Sequence, residues 1–143
     1  MSMKTAALTI VLAIISLCGC VPYPVNKTLQ PAAQVTVRDR MHQPLAAAEV
    51  TLIASAYPYG FEKSRTTKDT AVDGTAAFDS IREWRAESLM IHGAEEYFWN
   101  WCVRKTGYAT YVTAHRSARD FQGKLAIELA QGESTPCPQP LRR

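Results

Sequence analysis

Short stretches in which apolar and polar residues alternate constrain the fold of this chain more than any other feature of its sequence. Residues 34–39, 49–55 and 124–130 alternate in this way, which is typical of strands with one buried face. Turn-forming pairs such as Asp73-Gly74 separate such stretches at intervals of about 8–12 residues. The pattern predicts an all-β domain, a small antiparallel Greek-key β-sandwich of seven or eight strands with little helix.

A second group of segments is predicted as strands from β-branched, aromatic or continuous apolar content. The polar segment 65–72 is assigned to a sheet edge, and 75–78 is the strand that returns after the turn at Asp73-Gly74. The segment 57–61 contains three aromatic residues and is predicted as a loop. The strands of this group are residues 65–72, 75–78, 88–92, most of 95–105, and 108–115. A helical turn is the alternative for 95–105.

The first residues of the chain differ in composition from the remainder and form a predicted leader. A single lysine precedes an apolar run at 6–15 and then small residues, the layout of a secretory signal and too short for a comfortable membrane span. The end of this segment, Leu17-Cys18-Gly19-Cys20, resembles the lipobox of bacterial lipoproteins, with Cys18 where Ala, Ser or Thr is usual. The resemblance implies removal of the signal peptide, residues 1–19, and lipid attachment to the thiol of Cys20. An uncleaved anchor and a plain secretory signal are the alternatives.

Lipidation at Cys20 implies that the membrane is a partner of the mature chain. Two or three acyl chains on one cysteine would anchor it in effect permanently, since each buried methylene contributes roughly 0.8 kcal/mol. The resemblance places the protein in the bacterial cell envelope, facing the periplasm, and Val21 favours the outer over the inner membrane. Residues 20–33 contain three prolines and are predicted as an extended tether that lifts a domain at 34–131 off the membrane.

Two cysteines, Cys102 and Cys137, remain once the signal and the lipidated residue are set aside. In an oxidising compartment such a pair is expected to form a disulfide. The bond would tie a Pro-rich tail, residues 132–143, back to the domain and contribute about 3–4 kcal/mol in the chain-entropy model. Two free thiols are the alternative, because neither a CxxC motif nor zinc-ligand spacing is present.

Charge and motif content point away from nucleic-acid binding and from catalysis. The formal net charge is +3, and it falls to +2 when the leader lysine is removed, too little for a nucleic-acid footprint. No Gly-x-Ser-x-Gly elbow is present. His92 lies near Glu95 and Glu96, but adjacent residues of a strand face opposite ways. We therefore predict no catalytic residue, no metal site and no cofactor. A hydrolase would need His92 or His115 beside a carboxylate.

The most distinctive stretch is 95–102, which contains two of the three tryptophans. It is either a core strand or a partner surface, and both interpretations stay open at this point. If Trp99 and Trp101 face the core, alternation turns Tyr97 inward as well and leaves Phe98 outward. The predicted partner-binding aromatics are Tyr57, Tyr59, Phe61 and Phe98.

Three segments resemble carboxypeptidase-regulatory-like domains, which have a transthyretin-like sandwich. Residues 37–52 look like the first hairpin of that family, 70–78 is similar to its Thr-Asp-x-Asp-Gly-x-x-x-Phe turn, and 105–108 is similar to its Lys-Pro-Gly-Tyr signature. The resemblance spans about 34–130. The chain departs from the family pattern at His42 and Ala47, where glycine is usual, at Ala71, where aspartate is usual, and at Thr106, where proline is usual.

The family resemblance implies a non-catalytic domain, since its members commonly serve as structural or adhesive modules. The sequence therefore predicts an envelope lipoprotein with a binding or structural role and an envelope protein as a possible partner. The alternative is an inhibitor or immunity-type lipoprotein that blocks a periplasmic hydrolase or toxin. That alternative requires a protruding loop, at 57–64 or at 117–122.

Overall fold

The computed structural model of the protein describes residues 22–88 and 94–140, and within them the chain is almost entirely β-structure. The predicted all-β fold is confirmed. The elements are strands β1 (Pro22–Gln30), β2 (Ala33–Asp39), β3 (Glu49–Tyr57), β4 (Phe61–Asp69), β5 (Thr75–Phe78), β6 (Ile81–Ser88), β7 (Glu96–Arg104), β8 (Tyr111–Val112) and β9 (Lys124–Leu129), and one 3-10 turn at Ala118–Asp120. Over these two ranges, no helix has the length and apolarity needed to cross a bilayer.

The strands form a three-stranded sheet of order β5-β2-β9, a four-stranded sheet of order β4-β3-β7-β8, and a separate ribbon of β1 and β6. All neighbours are antiparallel except β2 and β9, which run parallel from Gln34 opposite Lys124 to Asp39 opposite Leu129. The larger two sheets enclose one apolar core, so the antiparallel sandwich is confirmed, with one parallel pair added. The predicted edge position of the segment at 65–72 is confirmed, because β4 is an outer strand of its sheet.

Alternation along the strands fills the core. The inward residues of the central strands have almost no exposed surface, and Trp101 packs against Phe78 and Phe121 with ring centroids 5.3 and 5.6 Å apart. Offset and edge-on aromatic pairs of this kind add stability beyond the area they bury. Large side chains buried in this core include Val35, Val37, Val50, Leu52, Trp101, Val103 and Leu129.

The predicted tether is wrong over β1, because this segment pairs with β6 along its length instead of standing free. The register begins with Pro22 opposite Ser88 and continues with Pro24 opposite Ala86. β1 has β6 as its paired neighbour, and proline is tolerated in such an edge strand because its missing N–H can face away from the ladder. Nine strands lie within the described residues, and the two of the ribbon are additions to those predicted. Of the strand predicted at 88–92, residues 89–92 lie outside the described residues.

Two predicted hairpins are also wrong in their pairing. β5 does not return onto β4 but pairs with β2, and β2 and β3 lie in different sheets. The reason lies at the turn before β5, where the Gly74 carbonyl accepts a hydrogen bond of 2.8 Å from Val37 N–H and so directs the chain onto the other sheet.

The strand predicted at 108–115 is reduced to the two residues of β8. Beyond it the side-chain oxygen of Asn100 accepts hydrogen bonds from Thr113 Oγ1 and from His115 N–H, at 2.9 and 2.6 Å. These bonds take the place of a regular ladder, so the segment stays attached to β7 without continuing as a strand.

Two non-glycine residues adopt left-handed backbone conformations in the link between β2 and β3. His42 has φ of 60° and Ala47 has φ of 52°. Glycine is the residue for which this conformation carries no steric penalty, so both positions carry a side chain in a conformation that disfavours one.

Candidate binding surface

The hairpin that joins β3 to β4 presents three aromatic side chains, and we call residues 57–61 the aromatic hairpin. Its turn is closed by a hydrogen bond of 2.9 Å from Gly60 N–H to Ala56 O, with Gly60 at φ of 70°. Tyr59 stacks on Phe61 with ring centroids 5.6 Å apart, and 66% of Tyr59 is exposed. The hairpin therefore holds an aromatic ring in solvent on a short, hydrogen-bonded turn.

Phe98 supports this hairpin and is not itself available to a partner. It points to the outer face of the four-stranded sheet, as alternation predicted, but only 8% of it is exposed. The ring of Tyr57 covers it at a centroid distance of 5.1 Å, while Tyr57 keeps 38% of its own surface exposed. The prediction that Phe98 contacts a partner is therefore wrong, because its ring is buried beneath Tyr57 and supports it.

The stretch 95–102 contributes a core strand, because the inner face of β7 is buried. Tyr97, Trp99 and Trp101 all lie in the core between the sheets. Trp99 also donates its indole N–H to the carbonyl of Leu29 at 2.9 Å, which satisfies its polar atom. These tryptophans belong to the packing of the domain and leave the aromatic hairpin as the predicted patch that offers surface.

A disulfide joins Cys102 to Cys137, as predicted, with their Cα atoms 5.9 Å apart. Cys102 lies on the outer face of β7 and is fully buried against Ile53 and Cys137. The tail that follows is held to the sheet by Arg65, whose Nη2 donates to the Pro138 carbonyl at 2.7 Å. Around Ile53 and Cys102 the outer face of the sheet is therefore covered by the chain's own C-terminal segment.

A shallow groove lies between the aromatic hairpin and this tail, lined by Gly60, Glu62, Arg65, Asn100, Pro138 and Pro140. Glu62 and Arg65 form a two-point ion pair with N–O distances of 2.9 and 2.7 Å. The hydrogen bonds that Arg65 donates to the Glu62 carboxylate hold the pKa of the guanidinium above its ordinary value. Aromatic rings beside a fixed ion pair can recognise a polypeptide or polymer through stacking and polar contacts.

The carboxylates of Glu95 and Glu96 do not converge on a common site. Glu95 pairs with Lys63 and, at 3.5 Å, with Arg85, while its neighbour Glu96 is exposed to solvent. His92 lies outside the described residues. Within 22–88 and 94–140, no three His, Cys, Asp or Glu side chains lie close enough together to hold a metal ion.

His115, the other candidate for a hydrolase, has backbone partners. Its Nδ1 lies 3.0 Å from the Trp99 carbonyl and its own N–H donates to Asn100 Oδ1. Both contacts fix the segment after β8 against β7. The described surroundings of this histidine are those of a structural residue.

Trp84 is an exposed aromatic residue that the sequence analysis does not predict at the surface. It lies in the middle of β6, directly opposite Asn26, and 70% of it is exposed. The signal was present in the strand's sequence, Ile81–Ser88, where the tryptophan stands between Glu83 and Arg85 in an otherwise polar segment. A large aromatic among charges lacks the apolar neighbours that a core strand supplies.

The predicted lipidation site, Cys20, and the neighbouring Val21 lie outside the described residues. Comparison with protein-family models, with curated proteins and with solved structures finds no match for this chain.

Proposed function

We propose that this chain is a lipid-anchored, periplasm-facing envelope lipoprotein whose β-sandwich has a non-catalytic binding role. The aromatic hairpin is the observation that carries the binding role. Tyr57 and Tyr59 present exposed rings, and the first is backed by the buried ring of Phe98. Rigidly held tyrosines are effective interface residues because they offer a large contact area and lose little conformational entropy on binding.

The anchor is proposed from Leu17-Cys18-Gly19-Cys20, and the Cys102–Cys137 disulfide supports the location. Disulfides persist in oxidising compartments such as the bacterial periplasm and are rare in the cytosol. With Val21 after the lipidated cysteine, the outer membrane is the favoured site.

A transthyretin-like architecture is part of the same proposal. The left-handed conformations of His42 and Ala47 support it, because they occur where the family pattern places glycine. The separate ribbon of β1 and β6 is then an addition to that pattern.

The anchor is tested by labelling cells with fatty acid and comparing Cys20→Ser with Cys18→Ser. The first substitution removes the acceptor thiol, whereas the second places a usual lipobox residue before Gly19. We expect label and membrane fractionation to be lost in Cys20→Ser and kept in Cys18→Ser. Label retained by Cys20→Ser would show that the anchor lies elsewhere.

The binding role is tested by photo-crosslinking in intact envelopes. A p-benzoylphenylalanine placed at Tyr59 should form an adduct with an envelope protein. The same probe at Val72, which is 88% exposed on a distant turn, is the matched control. Equal adduct yields at both positions, or none at Tyr59, would contradict a partner at the aromatic hairpin.

The inhibitor alternative uses the same surface, because the hairpin supplies the protruding element that it requires at 57–64. The other proposed loop is less suitable, since Phe121 after the 3-10 turn packs its ring against Trp99 and Trp101. Identification of the crosslinked partner separates the two functions: the alternative requires a hydrolase or toxin whose activity falls on binding.

A further inference from the structure

The ribbon of β1 and β6 attaches to the domain through one of its two faces. On that face Lys27 pairs with Glu87 at 2.7 Å and donates to the Glu95 carbonyl at 2.7 Å. Arg85 donates to Tyr97 Oη at 3.2 Å. The ion pair between Lys27 and Glu87 joins the two strands of the ribbon, while the contacts with the Glu95 carbonyl and Tyr97 fix the ribbon against the start of β7. Its other face is therefore turned away from the body of the protein.

The outward face follows directly from the register. Residues directly opposite each other in an antiparallel pair place their side chains on the same side. The register sets Trp84 opposite Asn26 and Arg82 opposite Thr28. We call the side chains of this side the ribbon face: Pro22, Pro24, Asn26 and Thr28 of β1, and Arg82, Trp84, Ala86 and Ser88 of β6.

The charge of the ribbon face suits an anionic surface. None of its side chains carries a carboxylate, and Arg82 supplies a cation whose Nε donates to Asn26 at 3.0 Å. The acidic residues of β6 lie on the opposite side, where Glu83 pairs with Arg85 and Glu87 with Lys27. Tryptophan and arginine side by side are the residues that favour the interfacial region of a bilayer with anionic headgroups.

The position of Cys20 decides what lies next to this face. Only Val21 separates it from β1, so an extended link places Pro22 no more than about 7 Å from the lipidated residue. Asn26, and with it Trp84 across the ribbon, lies about 13 Å further along the strand. A ribbon joined so closely to an acylated cysteine is held beside the headgroups.

We propose that the ribbon face docks on the surface of the membrane that holds the anchor, with Trp84 in the headgroup region and Arg82 on anionic lipid. This inference rests on the proposed lipid anchoring at Cys20. It replaces a flexible spacer with a domain that lies against the bilayer in one orientation.

Tryptophan fluorescence tests the proposal, because Trp99 and Trp101 are buried and Trp84 is the exposed emitter. The purified lipidated protein is placed in vesicles of phosphatidylethanolamine and phosphatidylglycerol. We expect acrylamide quenching of Trp84 to fall several-fold relative to the unanchored Cys20→Ser protein, and brominated acyl chains to quench it. Trp84→Phe identifies the responding signal. Val72→Ser, in the turn between β4 and β5, is a control for lost apolar surface, because Val72 is 88% exposed.

A second experiment tests docking of the ribbon face independently of acylation at Cys20, so that failure of one proposal is distinguishable from failure of the other. The mature chain is coupled through the Cys20 thiol to maleimide-bearing lipid, so that docking is measured whether or not cells acylate the protein. Mass measurement of the N-terminal peptide reports acylation by itself. Unchanged acrylamide quenching of Trp84 on coupled vesicles would overturn the docking surface. Protection seen in native envelopes but not on pure lipid would also overturn it, by assigning the face to a protein partner.

Discussion

Gly74 lies directly against the backbone of Val37. A methyl group built on Gly74 would come 2.5 Å from the Val37 carbonyl oxygen, and the glycine itself has φ of 77°. Both the conformation and the close approach require a residue without a side chain. This contact is the point at which the chain passes from β4 in one sheet to β5 in the other.

Gly74→Ala is therefore expected to destabilise the domain by about 3 kcal/mol or more, since it adds a backbone clash to a left-handed penalty of about 1–2 kcal/mol. Gly107→Ala is the matched control, because Gly107 has φ of 84° but no atom within 4 Å of the added methyl group. It should lose only about 1–2 kcal/mol. Urea denaturation of the two variants measures the difference, and equal losses would show that the contact with Val37 is not costly.

Ala47→Gly is expected to stabilise the protein. Ala47 has φ of 52° and donates its N–H to the Thr70 carbonyl at 2.9 Å, so its conformation is fixed by the fold. Glycine removes a left-handed penalty of about 1–2 kcal/mol. It also makes the unfolded chain more flexible, which destabilises the folded protein by about 0.4–1 kcal/mol. The net gain should be about 0.5–1 kcal/mol in thermal or urea unfolding.

A control for this prediction is Ala77→Gly, at an exposed position in β5. There glycine brings no conformational relief, so the substitution should destabilise. A loss of stability at both positions would contradict the left-handed conformation of Ala47.

The turn before β5 contains a carboxylate whose ionisation is linked to folding. Asp73 Oδ1 accepts hydrogen bonds from Thr75 Oγ1 at 2.6 Å and from Thr75 N–H at 3.0 Å, and these lower the pKa of Asp73. A depressed folded-state pKa stabilises the protein above the unfolded value of about 3.9, and this contribution is lost as the pH falls through the folded value.

Thr75→Val removes the hydroxyl donor and keeps the backbone donor. The pKa of Asp73, followed by NMR titration, should move upward towards the ordinary aspartate value. The destabilisation caused by Thr75→Val should be present at pH 7 and shrink below about pH 4, where the carboxyl is protonated in both states. In an Asp73→Asn background this pH dependence should vanish. An unchanged Asp73 titration would mean that the hydroxyl does not stabilise the carboxylate.

The strands that alternation located best are those with one face in the core, because burial imposes the two-residue period. β3 and β9 follow their predicted segments closely, since Val50, Leu52, Ile127 and Leu129 must all point inward. The sequence pattern did not predict β1 or β6, because these strands pair with each other and attach to the domain through polar contacts such as that of Lys27 with the Glu95 carbonyl. Local sequence does not reveal a contact between residues 68 positions apart.

The exposed part of the candidate surface was predictable from the sequence, whereas the buried residue that supports it was not. The exposed rings of Tyr57 and Tyr59 follow from aromatics placed in a turn segment. The burial of Phe98 depends on the fold of the hairpin over β7, a tertiary contact with no local signature. The sheet assignment of β5 likewise depends on one long-range contact, between Gly74 and Val37.

Effects on stability and on binding should separate between Phe98, which lies beneath the aromatic hairpin, and Tyr59, which lies in it. Phe98 is buried beneath Tyr57, so Phe98→Ala is expected to cost about 3 kcal/mol or more in unfolding free energy. Tyr59 is largely exposed, and Tyr59→Ala should change stability by no more than about 0.5 kcal/mol. If the hairpin is the binding surface, Tyr59→Ala should nevertheless lose the envelope partner captured by a photo-crosslinker in the same hairpin, at Phe61. Full capture by a correctly folded Tyr59→Ala protein would place the binding surface elsewhere, whereas loss of capture in Phe98→Ala alone would reflect loss of the hairpin's support.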